Sequence, residues 1–360
     1  MNNKMFIIAE IGVNHDGDIN CAIELIDSAK NAGADAVKFQ TFNPSMLSRQ
    51  GLKLAKYQKI NSPKETNQND MLDKLKLSEK DFISLKAYCD SIDISFMSTA
   101  FDLESLEFIS NTLNLDTLKI SSGDITNAPL LVNHGLSRKK IILSSGASSM
   151  KEIITALRVI KFSFKQKNSN FNTKDLYYAI ENDNDDFSCI NEFVSILHCT
   201  SEYPAPLKDL NLSAINEIAT TTGLTVGLSD HSDSIYPAVA AYALGARILE
   251  KHITLDRSLK GPDHAASLEP HVFKKMVDGV REIEIAYGDG KKHAQESELD
   301  NRKIIRRSIC AKKNISKGEM LTESNLITLR PADGMEPINL WKIVNKKSSR
   351  NYVKGDLIDE

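Results

Sequence analysis

One arrangement repeats eight times along the chain: a short run rich in Ile, Val and Leu, a few polar residues, then a stretch with apolar residues at helical spacing. The runs are Phe6 to Ile11, Ala34 to Phe39, Ile94 to Ser98, Thr117 to Ser121, Lys140 to Ser144, Val194 to Cys199, Leu224 to Ser229 and Arg247 to Ile253. Between them the period becomes helical, as in Ala22, Ile23, Ile26 and Ala29, or Ile153, Ile154, Leu157 and Ile160. Ser78 ahead of Asp81 and Ser149 ahead of Glu152 mark helix starts, where a hydroxyl caps free backbone amides. Strand and helix in alternation imply a parallel sheet. Eight units predict an α/β fold of the (β/α)8 TIM-barrel type rather than an open sheet, since no Gly-x-Gly-x-x-Gly turn follows the first strand.

A barrel carries its chemistry at the C-terminal ends of its strands. Those ends hold Glu10, Asn14 and His15; Lys38 and Gln40; Ser98 and Thr99; Lys119, Ser122 and Asp124; Ser144; His198 and Tyr203; Ser229, Asp230 and His231; Lys251 and His252. His231 and His252 close consecutive strands. Parallel strands lie roughly 4.8 Å apart, so two such imidazoles can converge on one divalent ion and leave positions open for water and substrate. A histidine at a strand end is often only a hydrogen-bonded residue, and the pair gains weight from the reactive ends around it. Lys38 and Lys119 sit in or beside apolar runs instead of charged stretches. Together with several hydroxyls they outline a site for a small anion bearing phosphate and carboxylate.

The 360 residues are 41% hydrophobic, enough for a sizeable core and two domains. A net charge of -3 gives no general drive toward nucleic acid or membrane. Five cysteines without CxxC spacing read as reduced thiols. No secretory segment is expected, because the apolar run after Met5 breaks at Glu10, and no stretch approaches 18 apolar residues. A cytoplasmic location is the expectation.

Two segments break the rhythm. From about Gln166 to Asn191 the chain turns polar around Asn182-Asp183-Asn184-Asp185-Asp186, which reads as a solvated loop inserted between the fifth and sixth strands. Beyond about Ala294 helical periodicity stops, and short β-like pieces follow at Ser308 to Ala311 and Leu326 to Leu329, with a turn at Lys317-Gly318-Glu319. From Asp300 to Glu360 there are 13 Lys and Arg against 8 Asp and Glu, leaving 32 against 40 before it. The expected division is a barrel over 1–290, a linker over 291–306 and a small basic domain over 307–360.

The segments Glu10-Ile11-Gly12-Val13-Asn14-His15, Val37-Lys38-Phe39-Gln40-Thr41, Leu197-His198-Cys199-Thr200-Ser201-Glu202-Tyr203-Pro204, Leu228-Ser229-Asp230-His231, Glu250-Lys251-His252, Gly261-Pro262-Asp263-His264 and Arg330-Pro331 together resemble the signatures of bacterial sialic acid synthases, of the N-acetylneuraminate and legionaminate type. The resemblance spans essentially the whole chain. It implies a barrel joined to a C-terminal antifreeze-like (SAF, β-clip) domain. It also implies condensation of phosphoenolpyruvate, an N-acylated hexosamine and water into a nine-carbon 2-keto sugar acid, with phosphate released by C–O cleavage. The acceptor would be N-acetylmannosamine or a 2,4-diacetamido-6-deoxy analogue.

Carried over by position, the resemblance gives phosphoenolpyruvate to Lys38, Thr99, Lys119, Ser122, Ser144 and Ser229, with Ser201 nearby. It gives a Mn2+ or Mg2+ ion to His231 and His252, the attacking water to Glu10, and the sugar to Gln40, Tyr203 and Asp263. Asp124 stands with Glu10, Lys38 and Lys119 in the implied catalytic set. Arg330 would reach the acyl group of the sugar in the partner's barrel, within a domain-swapped homodimer. Three positions depart from the family pattern: Asp124 replaces a common Glu, Ala147 a common Met and Ala100 the usual Pro. Competing readings are a phosphoenolpyruvate-dependent synthase for a shorter aldose, a Schiff-base aldolase using Lys119, and a non-catalytic carbohydrate- or ice-binding protein.

Overall fold

A computed structural model describes residues 4–49, 51–61, 67–166 and 170–359. The chain divides into two compact units, Met1–Gly288 and Asp289–Glu360.

In the first unit, strands β1 (Phe6–Gly12), β2 (Ala36–Thr41), β3 (Ser95–Ala100), β4 (Thr117–Ile120), β5 (Lys140–Ser144), β6 (Val194–Cys199), β7 (Thr225–Asp230) and β8 (Ile248–His252) close into one barrel in sequence order. All neighbouring pairs are parallel, and β1 closes the ring on β8. Each predicted run overlaps its strand. Both expected helix starts carry full capping boxes, at Ser78 with Asp81 and at Ser149 with Glu152.

Strand side chains alternate between two environments. On β1, Ile7, Ala9 and Ile11 pack outward into the large cluster beneath the helices, whereas Ile8 points inward. Ile8, Ala36, Met97, Ile142, Leu197 and Ile248 together form a separate apolar floor inside the barrel. Gly227 takes the matching place on β7, where a Cβ would come within 2.2 Å of the Ile248 carbonyl oxygen.

Two connections depart from simple loops. The β2–β3 connection contains helical segments Pro44–Leu47, Lys56–Asn61 and Gln68–Leu75 before the capped helix Glu79–Ser91. The polar insertion between β5 and β6 is not a plain solvated loop: Thr173–Asn182 is helical, and Phe187 and Ile190 beyond it are buried. Two of its acidic residues are paired, Asp185 with Arg158 at 2.7 Å and Asp183 with Lys161 at 2.7 Å. Paired charges on the adjacent helix Met150–Lys165 therefore fold this stretch against the barrel. Residues 167–169 of the insertion lie outside the described residues.

The second unit opens with a helix, Leu299–Ile305, where the sequence suggested none. Strands β9 (Ser308–Ala311) and β10 (Leu326–Leu329) then pair antiparallel, at both predicted positions. Ile309, Ala311, Ile315, Leu321, Leu326, Ile343, Tyr352 and Ile358 make its own small core. The five cysteines are free thiols. Among the described residues no helix is long and apolar enough to cross a membrane.

Candidate active site

Two residues beyond the apolar floor, the inward positions change character completely. Ile8 is followed on its face by Glu10, Ala36 by Lys38, Met97 by Thr99, Ile142 by Ser144, Leu197 by Cys199 and Ile248 by Glu250. Lys119 of β4 and Ser229 of β7 join this polar layer. One further step brings Gln40, Ser201, His231 and His252. All of these side chains line a single cavity of about 440 Å³, within the ~300–1,000 Å³ usual for small-molecule sites.

Lys38 is the hub of the polar layer. Its Nζ lies 2.6 Å from Glu10 Oε2 and 3.7 Å from Glu250 Oε2, and donates to Thr99 Oγ1 at 2.9 Å. Lys119 Nζ stands 3.7 Å from Glu250 Oε1, which also accepts from Ser229 Oγ at 2.9 Å. Gln40 Nε2 donates to the other oxygen of Glu10 at 3.1 Å. Both lysines are only 3% exposed. Charges buried to that degree are costly unless paired, and here two carboxylates neutralise two ammonium groups.

The two carboxylates are driven apart. Burial, with help from Glu250, lifts the Glu10 carboxyl to about 6 against the opposing pull of Lys38. Burial also opposes charge on Glu250, but Lys119 and Lys38 outweigh it and hold that group at about 2. Burial lowers Lys119, while Lys38 is raised because its two carboxylate neighbours overcome burial. A turn favours this arrangement: the β1–β2 register shifts between Glu10 and Gly12, and Gly12 adopts φ 56°. A Cβ there would stand 3.1 Å from both Glu10 Oε1 and Gln40 Nε2.

The imidazoles of His231 and His252 have ring centroids 5.4 Å apart, with the Tyr203 ring 4.1 Å from that of His231. The Nδ1 of His231 bonds the Thr200 carbonyl at 2.8 Å, so Nε2 is free to act as a ligand. His252 Nδ1 is buried without a hydrogen-bond partner, 3.9 Å from Asp263 Oδ2. Burial pulls His252 well below the usual imidazole range and pushes Asp263 up to about 6. Burial also opposes charge on His231, but the Cys199 sulfur and the Thr200 carbonyl push it to about 8. Among the described residues no group of three or more His, Cys, Asp or Glu stands ready to hold a metal. A pair of imidazoles, one of them neutral with an orphaned nitrogen, still suits an ion that completes its shell with water and substrate.

The structure thus brings Glu10, Lys38, Gln40, Thr99, Lys119, Ser122, Ser144, Ser201, Tyr203, Ser229, His231, His252 and Asp263 to one cavity. Ser144 Oγ is buried there with no partner of its own. Asp124 is not among the residues that line the cavity: its carboxylate turns back into its own 3-10 turn, accepting from Ser121 Oγ at 2.7 Å and Asn127 Nδ2 at 3.1 Å. His198 bonds the Leu210 carbonyl, and Lys251 pairs with Asp230 at 2.8 Å. Arg330 belongs to the second unit. Glu250 and Cys199 went unassigned in the sequence, although strand alternation places each two residues before a cavity-facing neighbour, His252 and Ser201.

Comparison with known proteins now decides the lineage. The NeuB family profile matches residues 25–292, and the SAF domain profile matches residues 306–360. The chain belongs to the NeuB family. The resemblance to sialic acid synthases is thereby borne out, and the chain is an enzyme of the synthase class. It is 41% identical to the N,N'-diacetyllegionaminic acid synthase of Campylobacter jejuni, over 99% of both chains. It is 39% identical to the synthase of the same name from Legionella pneumophila, over 97% of this chain and 92% of that one. A crystal structure of the N-acetylneuraminic acid synthetase from Leptospira borgpetersenii, in complex with citrate, superposes with a TM-score of 0.67 at 33% identity, covering 83% of this chain and 90% of that one.

Proposed function

We propose that this NeuB-family enzyme condenses phosphoenolpyruvate with an N-acylated hexosamine and water, giving a nine-carbon sialic-acid-type 2-keto sugar acid and phosphate. The observation that carries this reading is the buried pair Lys38 and Lys119 in a layer of hydroxyls inside the cavity. Two ammonium groups among hydroxyl donors suit the oxygens of a small, strongly anionic substrate. Its relatives are synthases of such sugar acids.

In this reading Lys38, Lys119, Thr99, Ser122, Ser144 and Ser229, with Ser201 beside them, receive the phosphate and carboxylate. Ser144, whose hydroxyl lacks a partner, suits an anion oxygen. Gln40, Tyr203 and Asp263 address the sugar. Mn2+ or Mg2+ held by His231 and His252 would polarise the aldehyde oxygen of the open-chain acceptor. C3 of phosphoenolpyruvate then attacks the aldehyde carbon, which leaves positive charge at C2. Glu10 takes the proton of the water that adds to C2, a task matched to its raised carboxyl. The phosphohemiketal so formed expels phosphate by C–O cleavage. Asp124 is left outside this scheme.

We further propose a domain-swapped homodimer, acting in the cytoplasm, in which Arg330 reaches the acyl group of sugar held in the partner's barrel. Phosphate release should require both an acylated sugar and a divalent ion, and EDTA should abolish it. In 18O-labelled water the label should appear at C2 of the sugar acid. Label in the released phosphate would refute the mechanism.

A further inference from the structure

Asp230 and Lys251 stand one residue before His231 and His252, at the ends of β7 and β8. The two strands pair in register there, Ser229 with Glu250 and Asp230 with Lys251. Alternation turns Ser229, His231, Glu250 and His252 into the cavity and sends Asp230 and Lys251 outward, toward the helices. Neither outward side chain keeps any exposed surface. The proposed reaction uses neither of them.

Lys251 directs its three N–H donors at one short stretch of chain. Its Nζ donates to Asp230 Oδ2 at 2.8 Å and to the carbonyls of Ser232 at 2.5 Å and Ser234 at 3.3 Å. The other carboxylate oxygen of Asp230 accepts from the Ser232 amide at 2.9 Å. His231 therefore lies between two residues fastened to Lys251, and His252 follows Lys251 directly. One ammonium ties together the two backbone segments that carry the imidazoles. The rings themselves have less support: His231 Nδ1 bonds the Thr200 carbonyl, but His252 Nδ1 has no hydrogen-bond partner. The aim of His252 thus depends on where its main chain is held. Stability alone does not call for such a pair, because well-packed apolar side chains of similar volume often serve as well or better. A site built on two imidazoles, by contrast, needs its ligands placed to within roughly 0.5 Å.

We propose that Lys251 and Asp230 are positioning residues that fix the spacing of His231 and His252 for a divalent cation. They act through the two strand ends and the 231–234 turn. The inference rests on the reading of those imidazoles as metal ligands. The test titrates the full chain with Mn2+ alone, following the free ion by electron paramagnetic resonance, and records the thermal midpoint of each protein. The proteins compared are the wild type, His231→Ala, Lys251→Met and the double variant Asp230→Asn with Lys251→Met. Lys251→Met leaves Asp230 buried without its cation, so it should melt lower and bind Mn2+ weakly. The double variant removes both charges at similar volume and should regain most of the lost midpoint. Its Kd for Mn2+ should nevertheless stay about 10- to 100-fold above that of the wild type, the usual cost of disturbing groups that orient metal ligands. A folded double variant with wild-type affinity would make the pair merely structural and overturn the inference alone. So would a double variant that cannot fold, since the pair would then be a requirement of the fold itself. Wild-type protein that binds no more Mn2+ than His231→Ala would sink the metal-ligand reading and this inference with it.

Discussion

Glu10 and Glu250 carry the same functional group into one polar layer and end with opposite charge preferences. The difference is a matter of neighbours, since Glu250 faces two lysines and a serine hydroxyl while Glu10 contacts Lys38 and the neutral Gln40. With its carboxyl near 6, Glu10 is deprotonated above that pH and protonated below. As the base it should lose activity as pH falls through about 6, by roughly tenfold per unit. Glu10→Gln should cut kcat by roughly 10²–10⁴ and remove that acid limb, measured as phosphate release across pH. Glu250→Ala would leave two buried lysines sharing a single carboxylate. It should destabilise the barrel by about 3–5 kcal/mol in denaturant unfolding and raise the KM for phosphoenolpyruvate.

The elements are held as closely as the site requires. Helices Ala128–Ser137 and Met150–Lys165 meet at Gly135, where a Cβ would lie 2.7 Å from Ser163 Cβ and 2.8 Å from the Ile160 carbonyl oxygen. Backbone cannot yield as a flexible side chain can, so Gly135→Ala should cost about 1–3 kcal/mol in thermal or denaturant unfolding. At this scale the barrel strands were legible because eight apolar runs alternate with helical ones. The helix Thr173–Asn182 was not, because its ten residues bury none of their side chains fully and so leave a weak apolar pattern in a polar stretch. The packing of the β2–β3 connection was hidden as well. Its helix Gln68–Leu75 buries Met71, Leu72 and Leu75 in a cluster that reaches as far along the sequence as Val13 and Phe101.

For the whole molecule, the proposed swap makes a sharp prediction. Arg330→Ala should raise the KM of the acceptor. Co-expressing Arg330→Ala with His231→Ala chains should restore up to about a quarter of the wild-type sites, because half the dimers are mixed and each mixed dimer pairs one intact barrel with one intact arginine. Failure to recover activity would place Arg330 in its own subunit's site. Taken by itself, the sequence determined the barrel, the β pieces of the second unit and most of the cavity residues, since strand ends in a closed parallel sheet must share one face. Tertiary structure alone decided that Asp124 turns away, that Glu250 joins the two lysines, and that Lys251 pairs with Asp230. Those outcomes depend on which side chains meet across the barrel, where burial and neighbouring charge set the energies and local periodicity carries no information.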